Sequence, residues 1–133
     1  MLQGYDAYRV HLSWKKGTPM SKADRYERMM EQTRICFLED AELKMADLRT
    51  LFHDYYKDSS QAGISGLQYA IHRHAHAIKG LALLFSYKEM DTVCGDILMI
   101  VLQEPPRDCT PDEIEHLHRL VTALEYLLKQ ASI

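Results

Sequence analysis

Apolar residues recur at helical spacing in four separate stretches of the chain, and these stretches predict four α-helices. The first stretch extends from about residue 21 to about residue 56, and no glycine or proline interrupts residues 20 to 62. This pattern predicts one long helix, with two helices separated by a kink as the alternative. Its apolar stripe consists of Tyr26, Met30, Thr33, Phe37, Ala41, Leu48, Phe52 and Tyr55.

Turn and capping signals mark the starts of the other three predicted helices. Asp58 to Gly63 has the composition of a loop, and Ser65-Gly66-Leu67-Gln68 has the spacing of a capping box, so the second helix is expected to start at about its glycine. Ser86-Tyr87-Lys88-Glu89 has the same spacing and predicts the start of the third helix, which Pro105-Pro106 ends. The fourth helix starts at Thr110-Pro111-Asp112-Glu113, the clearest start signal in the chain.

The connections between these helices are short, which favours antiparallel neighbours. The expected fold is therefore all-α, with an up-down antiparallel four-helix bundle over residues 21–133 and an N-terminal extension over residues 1–20. The second helix is expected to bury one stripe, formed by Leu67, Ile71, Ala75, Ile78, Ala82 and Phe85.

The composition is that of an ordinary single domain. Of the 133 residues, 47% are hydrophobic and 26% are charged, and the net charge of −3 gives no general attraction to nucleic acid or to an anionic membrane. The longest clear apolar run, Ile97 to Leu102, is much shorter than the roughly eighteen residues of a membrane span. The N-terminus has no signal-peptide pattern, and three cysteines without a CxxC motif predict reduced thiols and a cytoplasmic location.

The second predicted helix carries a histidine on the side opposite its apolar stripe. At about 100° per residue, His76 points roughly 160° away from Ile78, in the middle of the stripe. Gly80 lies one turn after His76 on the same outer face, although glycine in a helix interior costs about 1 kcal/mol relative to alanine. The missing side chain opens space beside the imidazole for the backbone of another molecule. The same face holds Tyr69, Arg73 and Leu83, with His72 and Lys79 on its flanks.

These residue types suit the transfer of a phosphoryl group. A histidine side chain has an ordinary pKa of about 6.5, so at pH 7 the neutral form with a free lone pair predominates. Lys79, three residues after His76, can bring its ammonium group toward an anion attached to the ring. The exposed imidazole, the lysine and the docking gap together predict a site that carries a phosphoryl group on His76.

The segment His76-Ala77-Ile78-Lys79-Gly80-Leu81-Ala82, followed by Phe85 and Cys94, resembles the histidine-containing phosphotransfer (HPt) domain of bacterial and plant phosphorelays. That family has a histidine, an aliphatic residue two positions later, then lysine and glycine, and a cysteine at the same later offset. The resemblance covers about residues 35 to 100 and, more weakly, the last helix. Ser86 departs from it, because the family usually has glycine there. A helix N-cap role is expected for this serine.

The resemblance implies a phosphorelay intermediate. His76 would accept a phosphoryl group from the aspartate of a receiver domain, or from a hybrid kinase, and pass it to the receiver of another response regulator. Lys79 would stabilise the phosphoryl oxygens. The surface that docks the partner would be formed by Tyr69, His72, Arg73, Gly80 and Leu83.

The expected partners are response regulator receiver domains and a sensor or hybrid histidine kinase, with no nucleic acid and no membrane. No cofactor is expected on this chain, because Mg²⁺ would belong to the partner receiver. Nothing in the sequence resembles a nucleotide-binding loop or a kinase domain, so the histidine phosphotransferase would lack autokinase activity. The initial methionine favours a free-standing protein over a domain cut from a hybrid kinase.

Two other classes of function stay open as alternatives. An HPt-like bundle could bind a kinase or receiver as an adaptor or inhibitor, without phosphate passing through it. A metal-binding helical bundle is the other alternative, since His72 and His76 are four residues apart, a zinc-compatible spacing. No nearby cysteine or carboxylate motif supplies the remaining ligands, so no metal site is predicted.

Overall fold

Four α-helices follow one another in the part of the chain that the computed structural model describes, residues 20–58 and 60–132, and no strand occurs among these residues. The all-helical fold predicted from the periodicity is therefore confirmed. The predicted N-terminal extension lies outside the described residues except for Met20. The helices are α1 (Lys22–Lys57), α2 (Gln61–Ala82), α3 (Lys88–Val101) and α4 (Pro111–Ala131).

The first helix is a single long one, as the absence of glycine and proline predicted. At its start, the backbone N–H of Asp24 donates to Oγ of Ser21 at 3.1 Å, which satisfies one of the donors that every helix start leaves open. Tyr26 and Thr33 were expected in the apolar stripe, but both are exposed, Tyr26 by 60%. The buried residues of α1 are Phe37, Leu38, Ala41, Met45, Leu48, Phe52 and Tyr55.

The second helix starts earlier than predicted. Ser60 is its N-cap and accepts a hydrogen bond from the backbone N–H of Gly63 at 3.2 Å, so part of the expected loop is helical. Ser65 does not form the predicted capping box, because its hydroxyl donates to Asp108 at 3.3 Å. Gln68, the other member of the expected box, bonds to the connection between α3 and α4. Both side chains were predicted to cap the helix, but they form hydrogen bonds to residues that are distant in the sequence.

The turn between α2 and α3 contains the second departure from the predicted caps. A short 3₁₀ turn, Leu83–Phe85, follows α2, and Ser86 then adopts the left-handed conformation with φ of 64°. The N–H of Tyr87 donates to the carbonyl of Ala82 at 2.9 Å, and the N–H of Ser86 donates to the carbonyl of Leu83 at 3.0 Å. This pair of bonds is a Schellman motif. Ser86 therefore ends the 3₁₀ turn that follows α2, whereas it was predicted to cap the start of α3.

The start of α4 agrees with its sequence signal. Thr110 and Glu113 form the predicted capping box: the N–H of Glu113 donates to the Thr110 hydroxyl at 3.2 Å, and the N–H of Thr110 donates to the Glu113 carboxylate at 2.8 Å. Arg107 adds two bonds to the same carboxylate, at 2.8 and 2.9 Å. The connection before α4 is thereby joined to the first turn of the helix.

The structure divides into two units, of which the second begins at Arg34 and holds the core. Within it, α2 packs against α3, and α3 packs against α4. Rings connect α1 to the other helices: the centroids of Phe37 and Phe85 are 5.6 Å apart, and those of Phe52 and His118 are 4.6 Å apart. Burying a leucine or isoleucine side chain contributes about 1.5–3 kcal/mol. The largest side chains less than 2% exposed are Met45, Leu48, Leu67, Ile71, Ile78, Ile97, Ile114, Leu117, Leu124 and Cys94.

None of the helices among the described residues combines the length and the hydropathy that crossing a membrane requires.

Candidate functional site

His76 lies in the middle of α2 with its side chain exposed. The same part of the helix turns Ala75 and Ile78 into the core, where they are 2% and 1% exposed. Because successive helical residues are rotated by about 100°, burial of these two neighbours leaves residue 76 facing outward. Core packing therefore sets the orientation of the imidazole, and the exposure agrees with the sequence prediction.

The residues predicted to surround His76 lie at the surface with it. Tyr69 and Leu83 are 62% and 56% exposed. The guanidinium carbon of Arg73 is 5.6 Å from the centroid of the Tyr69 ring, within the range of a cation–π contact. His72 is half-buried, and its ring centroid is 6.1 Å from that of His76. We call the set of Tyr69, His72, Arg73, Gly80 and Leu83 the outer patch.

Gly80 leaves a gap in the outer patch that opens to solvent. Apart from its chain neighbours and the adjacent backbone of α2, a Cβ atom built on this residue would meet no atom within 4 Å. The packing of the described residues therefore does not require glycine here, although glycine costs the helix about 1 kcal/mol relative to alanine. The gap gives another molecule access to the backbone one turn after His76.

Lys79 forms an ion pair that the sequence analysis did not predict. Its Nζ donates to Oδ1 of Asp91 on α3 at 2.7 Å, and the two side chains are 38% and 21% exposed. Its Cε would be 3.9 Å from a Cβ on Gly95, so the aliphatic part of the lysine lies along α3. A signal was present in the sequence, since residues 79 and 91 are equally distant from Phe85 in the turn between the helices.

His74 has the opposite environment from His76. It is only 7% exposed, and its Nε2 lies 2.7 Å from Oδ2 of Asp47 on α1. Two residues correspond to about 200° of rotation around a helix, so the two rings face different sides. The sequence placed His74 away from His76 but did not identify its partner. Because a buried polar group needs a hydrogen bond, this histidine has a structural role between α1 and α2.

A model of a known protein family matches most of the chain. The model of the Hpt domain matches residues 32–127, which include all of α2 and α3 and most of α1 and α4. This chain belongs to the Hpt family. Neither the search of curated proteins nor the search of solved structures found a match. Hpt domains perform histidine phosphotransfer in the phosphorelays of two-component systems, where they work with histidine kinases and response regulators.

Two further motif residues of this Hpt domain belong to the interior. Cys94 is fully buried, and burial raises the pKa of its thiol to about 12, so the thiol stays protonated at neutral pH. Phe85 is half-buried and contacts the ring of Phe37. Phe85 was expected in the buried stripe of α2, and its half-buried side chain packs against the core.

The described part of this Hpt domain does not build a metal site around His72 and His76. Within residues 20–58 and 60–132, no group of three or more histidine, cysteine, aspartate or glutamate side chains is arranged to hold a metal ion. Zinc sites usually use four ligands, at least three of them from the protein. The metal-binding alternative therefore finds no third ligand among these residues.

Proposed function

We propose that His76 is the phosphoacceptor of this Hpt domain. It takes a phosphoryl group from the aspartate of a receiver domain, or from a hybrid histidine kinase, and passes it to the receiver of another response regulator. The main support is that the imidazole of His76 is exposed on a helix whose other face packs in the core. This helix lies within the residues that match the Hpt family. A helix held by its buried face presents the ring to a partner at a fixed position.

The transfer step needs only the lone pair of the neutral imidazole. Nε2 attacks the phosphorus in line with the aspartyl oxygen, so that the N–P bond forms as the P–O bond breaks. The electron pair of the broken bond leaves with the receiver carboxylate, and the proton on Nδ1 stays on the ring. Attack on the phosphorus by the aspartate of a second receiver reverses the step and restores the neutral imidazole.

Lys79 supplies positive charge to the phosphoryl oxygens. A phosphoryl group carries about −1.5 to −2 charges at pH 7, and fixed cations stabilise such charge in other phosphoryl-transfer sites. Lys79 is on the same side of α2, three residues after His76. Its side chain is 38% exposed, which leaves the ammonium group room to turn toward the ring.

The outer patch docks the receiver domain. Tyr69 and Leu83 offer exposed apolar surface, and the gap at Gly80 admits the partner's backbone close to His76. Arg73 and His72 favour a partner with an acidic pocket, such as the phosphorylated aspartate site of a receiver. Charges at the rim of an interface act more on the rate of encounter than on affinity.

We infer that the four helices alternate in direction, as in an up-down antiparallel bundle. Asp47 of α1 pairs with His74 of α2, whereas Phe37, earlier in α1, contacts Phe85, after the end of α2. This crossed order supports antiparallel neighbours. The same crossed order joins α2 to α3 through the pairs Lys79–Asp91 and Gln68–Val101. It also joins α1 to α4 through the pairs Phe52–His118 and Arg49–Glu125.

The proposal requires no cofactor on this chain, because the Mg²⁺ of the reaction belongs to the receiver. It also requires no kinase activity, since the phosphoryl group arrives from a phosphorylated partner. The partners are receiver domains and a sensor or hybrid histidine kinase, in the cytoplasm, and neither nucleic acid nor a membrane takes part.

The test is phosphotransfer from receiver domains of the source organism that carry a labelled aspartyl phosphate. The wild-type chain is expected to gain label that is labile in acid and stable in base, as phosphohistidine is. His76→Gln is expected to gain none, whereas the matched control His116→Gln, at an exposed histidine of α4 outside the outer patch, gains label. Label retained by His76→Gln would remove His76 from the proposal.

The same assay tests the role of Lys79. Lys79→Ala is expected to slow transfer by about tenfold or more, because it removes a cation that faces the transferred group. Its free energy of unfolding should change by less than about 1 kcal/mol, since the ion pair is partly exposed. Receiver binding that survives His76→Gln, with no label on the wild-type chain, would instead identify an adaptor.

A further inference from the structure

We propose that Asp91 is a positioning residue that restrains Lys79 and thereby limits the rate at which His76 gains its phosphoryl group. This inference rests on the proposed function of His76 and Lys79. It concerns a residue of α3, outside the histidine motif, whose pairing with Lys79 the sequence analysis did not predict.

The geometry shows what Asp91 does to the lysine. The ammonium group of Lys79 is 2.7 Å from the Asp91 carboxylate, and its Cε lies near Gly95 on the same helix. Both ends of the long side chain are thus held: the stem begins on α2 beside His76, and the charged end lies against α3. The lysine therefore has to loosen its bond to Asp91 before it can give its full charge to a group on His76.

The charges determine whether Asp91 speeds or slows the transfer to His76. One ammonium group and one carboxylate form a neutral pair, and an incoming phosphoryl group brings about −1.5 to −2 charges that compete for the same ammonium group. The pair is partly exposed, with Asp91 at 21% and Lys79 at 38%, so it is weak enough to open. Removing the carboxylate charge leaves the lysine with a single anionic partner, the phosphoryl group.

The experiment compares Asp91→Asn with Asp96→Asn in transfer from a labelled receiver. Asp96 is an exposed residue of the same helix, five positions after Asp91 and so rotated by about 140° from it. The control makes the same change in net charge at a carboxylate other than the one that bonds to Lys79. Asp91→Asn is expected to raise the rate constant of transfer about two- to fivefold, the range for a partly exposed ion pair, with little change in receiver affinity. Asp91→Glu, which can still reach the ammonium group, should stay near the wild-type rate, as should Asp96→Asn.

A second background separates a restraint on Lys79 from direct repulsion of the phosphoryl group by Asp91. In Lys79→Met, the addition of Asp91→Asn is expected to change the rate by less than about 1.5-fold, because the restrained group is gone. Acceleration that persists in this background would overturn the proposal, and so would an Asp91→Asn rate at or below the wild type.

The failure of this inference is distinguishable from that of the proposed function. A labelled wild-type chain with an unaffected Asp91→Asn variant would overturn the role of Asp91 alone. Absence of label on the wild-type chain, with every receiver domain of the source organism, would overturn both. Thermal unfolding of each variant checks the fold, because a loss of structure would slow transfer while the proposal predicts faster transfer.

Discussion

Ser86 has a backbone conformation that suits glycine better than serine. Its φ of 64° makes it the only non-glycine residue with positive φ in the described part of the chain. An L-residue in the left-handed region is disfavoured by roughly 1–2 kcal/mol, because its Cβ approaches the following carbonyl oxygen. The Schellman motif needs this conformation in order to satisfy the carbonyls of Ala82, at the end of α2, and of Leu83 in the 3₁₀ turn. The glycine usual at this position in the family is thereby explained.

Replacement of Ser86 by glycine is expected to stabilise the fold by about 0.5–1 kcal/mol. The gain is smaller than the full strain, because glycine also loses more conformational freedom on folding. Urea denaturation measures the free energy of unfolding. The matched control is Ser65→Gly inside α2, which should destabilise by about 0.5–1 kcal/mol. Equal effects of the two substitutions would contradict this account.

Glu113 is a carboxylate whose charge the fold stabilises strongly. Two hydrogen bonds from Arg107 and one from the backbone N–H of Thr110 lower its pKa from 4.5 to about 2. A group whose pKa is lower in the folded state than in the unfolded state adds stability above the unfolded pKa. That contribution is lost as the pH falls from about 4.5 through about 2.

Glu113→Gln is therefore expected to reduce the free energy of unfolding at pH 7, and the difference from the wild type should shrink steadily as the pH is lowered from 5 to 2. Denaturation at a series of pH values measures this difference. Asp112→Asn, in the same first turn, serves as the control. A Glu113→Gln difference that stays constant over this range would show that charge is not what stabilises the cap.

At the scale of elements, Gln68 joins α2 to the connection between α3 and α4. Its Nε2 donates to the carbonyls of Arg107 and Val101, at 3.0 and 3.3 Å, and its Oε1 accepts from the N–H of Cys109 at 2.8 Å. These bonds satisfy the carbonyl of Val101 at the end of α3 and two backbone groups of the connection, none of which has a helical hydrogen-bond partner. One side chain thus stabilises the position of the connection that follows α3.

Gln68→Leu is expected to destabilise the protein by about 1–3 kcal/mol, because it leaves the Cys109 N–H and two carbonyls without this partner. Hydrogen exchange at the Cys109 amide should be faster in Gln68→Leu than in the wild type. Exchange at amides in the middle of α2 should change less. Gln68→Glu is the sharper comparison, since it keeps the acceptor and loses both donor bonds. If the Cys109 amide exchanged equally fast in the wild type and in Gln68→Leu, this role of Gln68 would be wrong.

The starts of the helices show which local sequence signals are sufficient to predict a cap. Thr110 and Glu113 form the predicted box, because proline and two acidic residues all favour the same start of α4. Ser65 and Gln68 have equally good spacing, yet both side chains bond to the distant connection. A serine and a glutamine can satisfy many partners, so their spacing alone does not specify a cap.

At the scale of the whole molecule, the core makes two of the three cysteines unreactive. Cys94 is fully buried and Cys109 is 4% exposed, and burial raises the pKa of their thiols to about 12 and about 11. Cys36 is exposed. Since the thiolate is the reactive form, reaction of the buried thiols requires the structure to open.

A thiol reagent such as Ellman's reagent is expected to modify Cys36 rapidly and Cys94 at least about a hundredfold more slowly under native conditions. All three thiols should react together in denaturant. Cys36→Ser should abolish the rapid phase and leave the slow one unchanged. A rapid phase that remains in Cys36→Ser would mean that the interior is more open than the packing of Cys94 indicates.

The sequence alone determined the helical class, the orientation of His76 and the neighbours of its outer face. These features depend on a period of about 3.6 residues, and a buried stripe with Ile71, Ala75 and Ile78 leaves only one side for residue 76. The histidine motif with its lysine and glycine also carried the family resemblance, and the family match confirmed it.

Only the tertiary structure decided which side chains meet across helices. The pairs Lys79–Asp91 and His74–Asp47, and the bonds of Gln68, join residues far apart in the chain. The left-handed conformation of Ser86 was also decided by the tertiary structure, because the turn from α2 into α3 required it. Periodicity specifies the face on which a residue lies, whereas its partner depends on how two faces are placed against each other, and that placement comes from packing of the whole core.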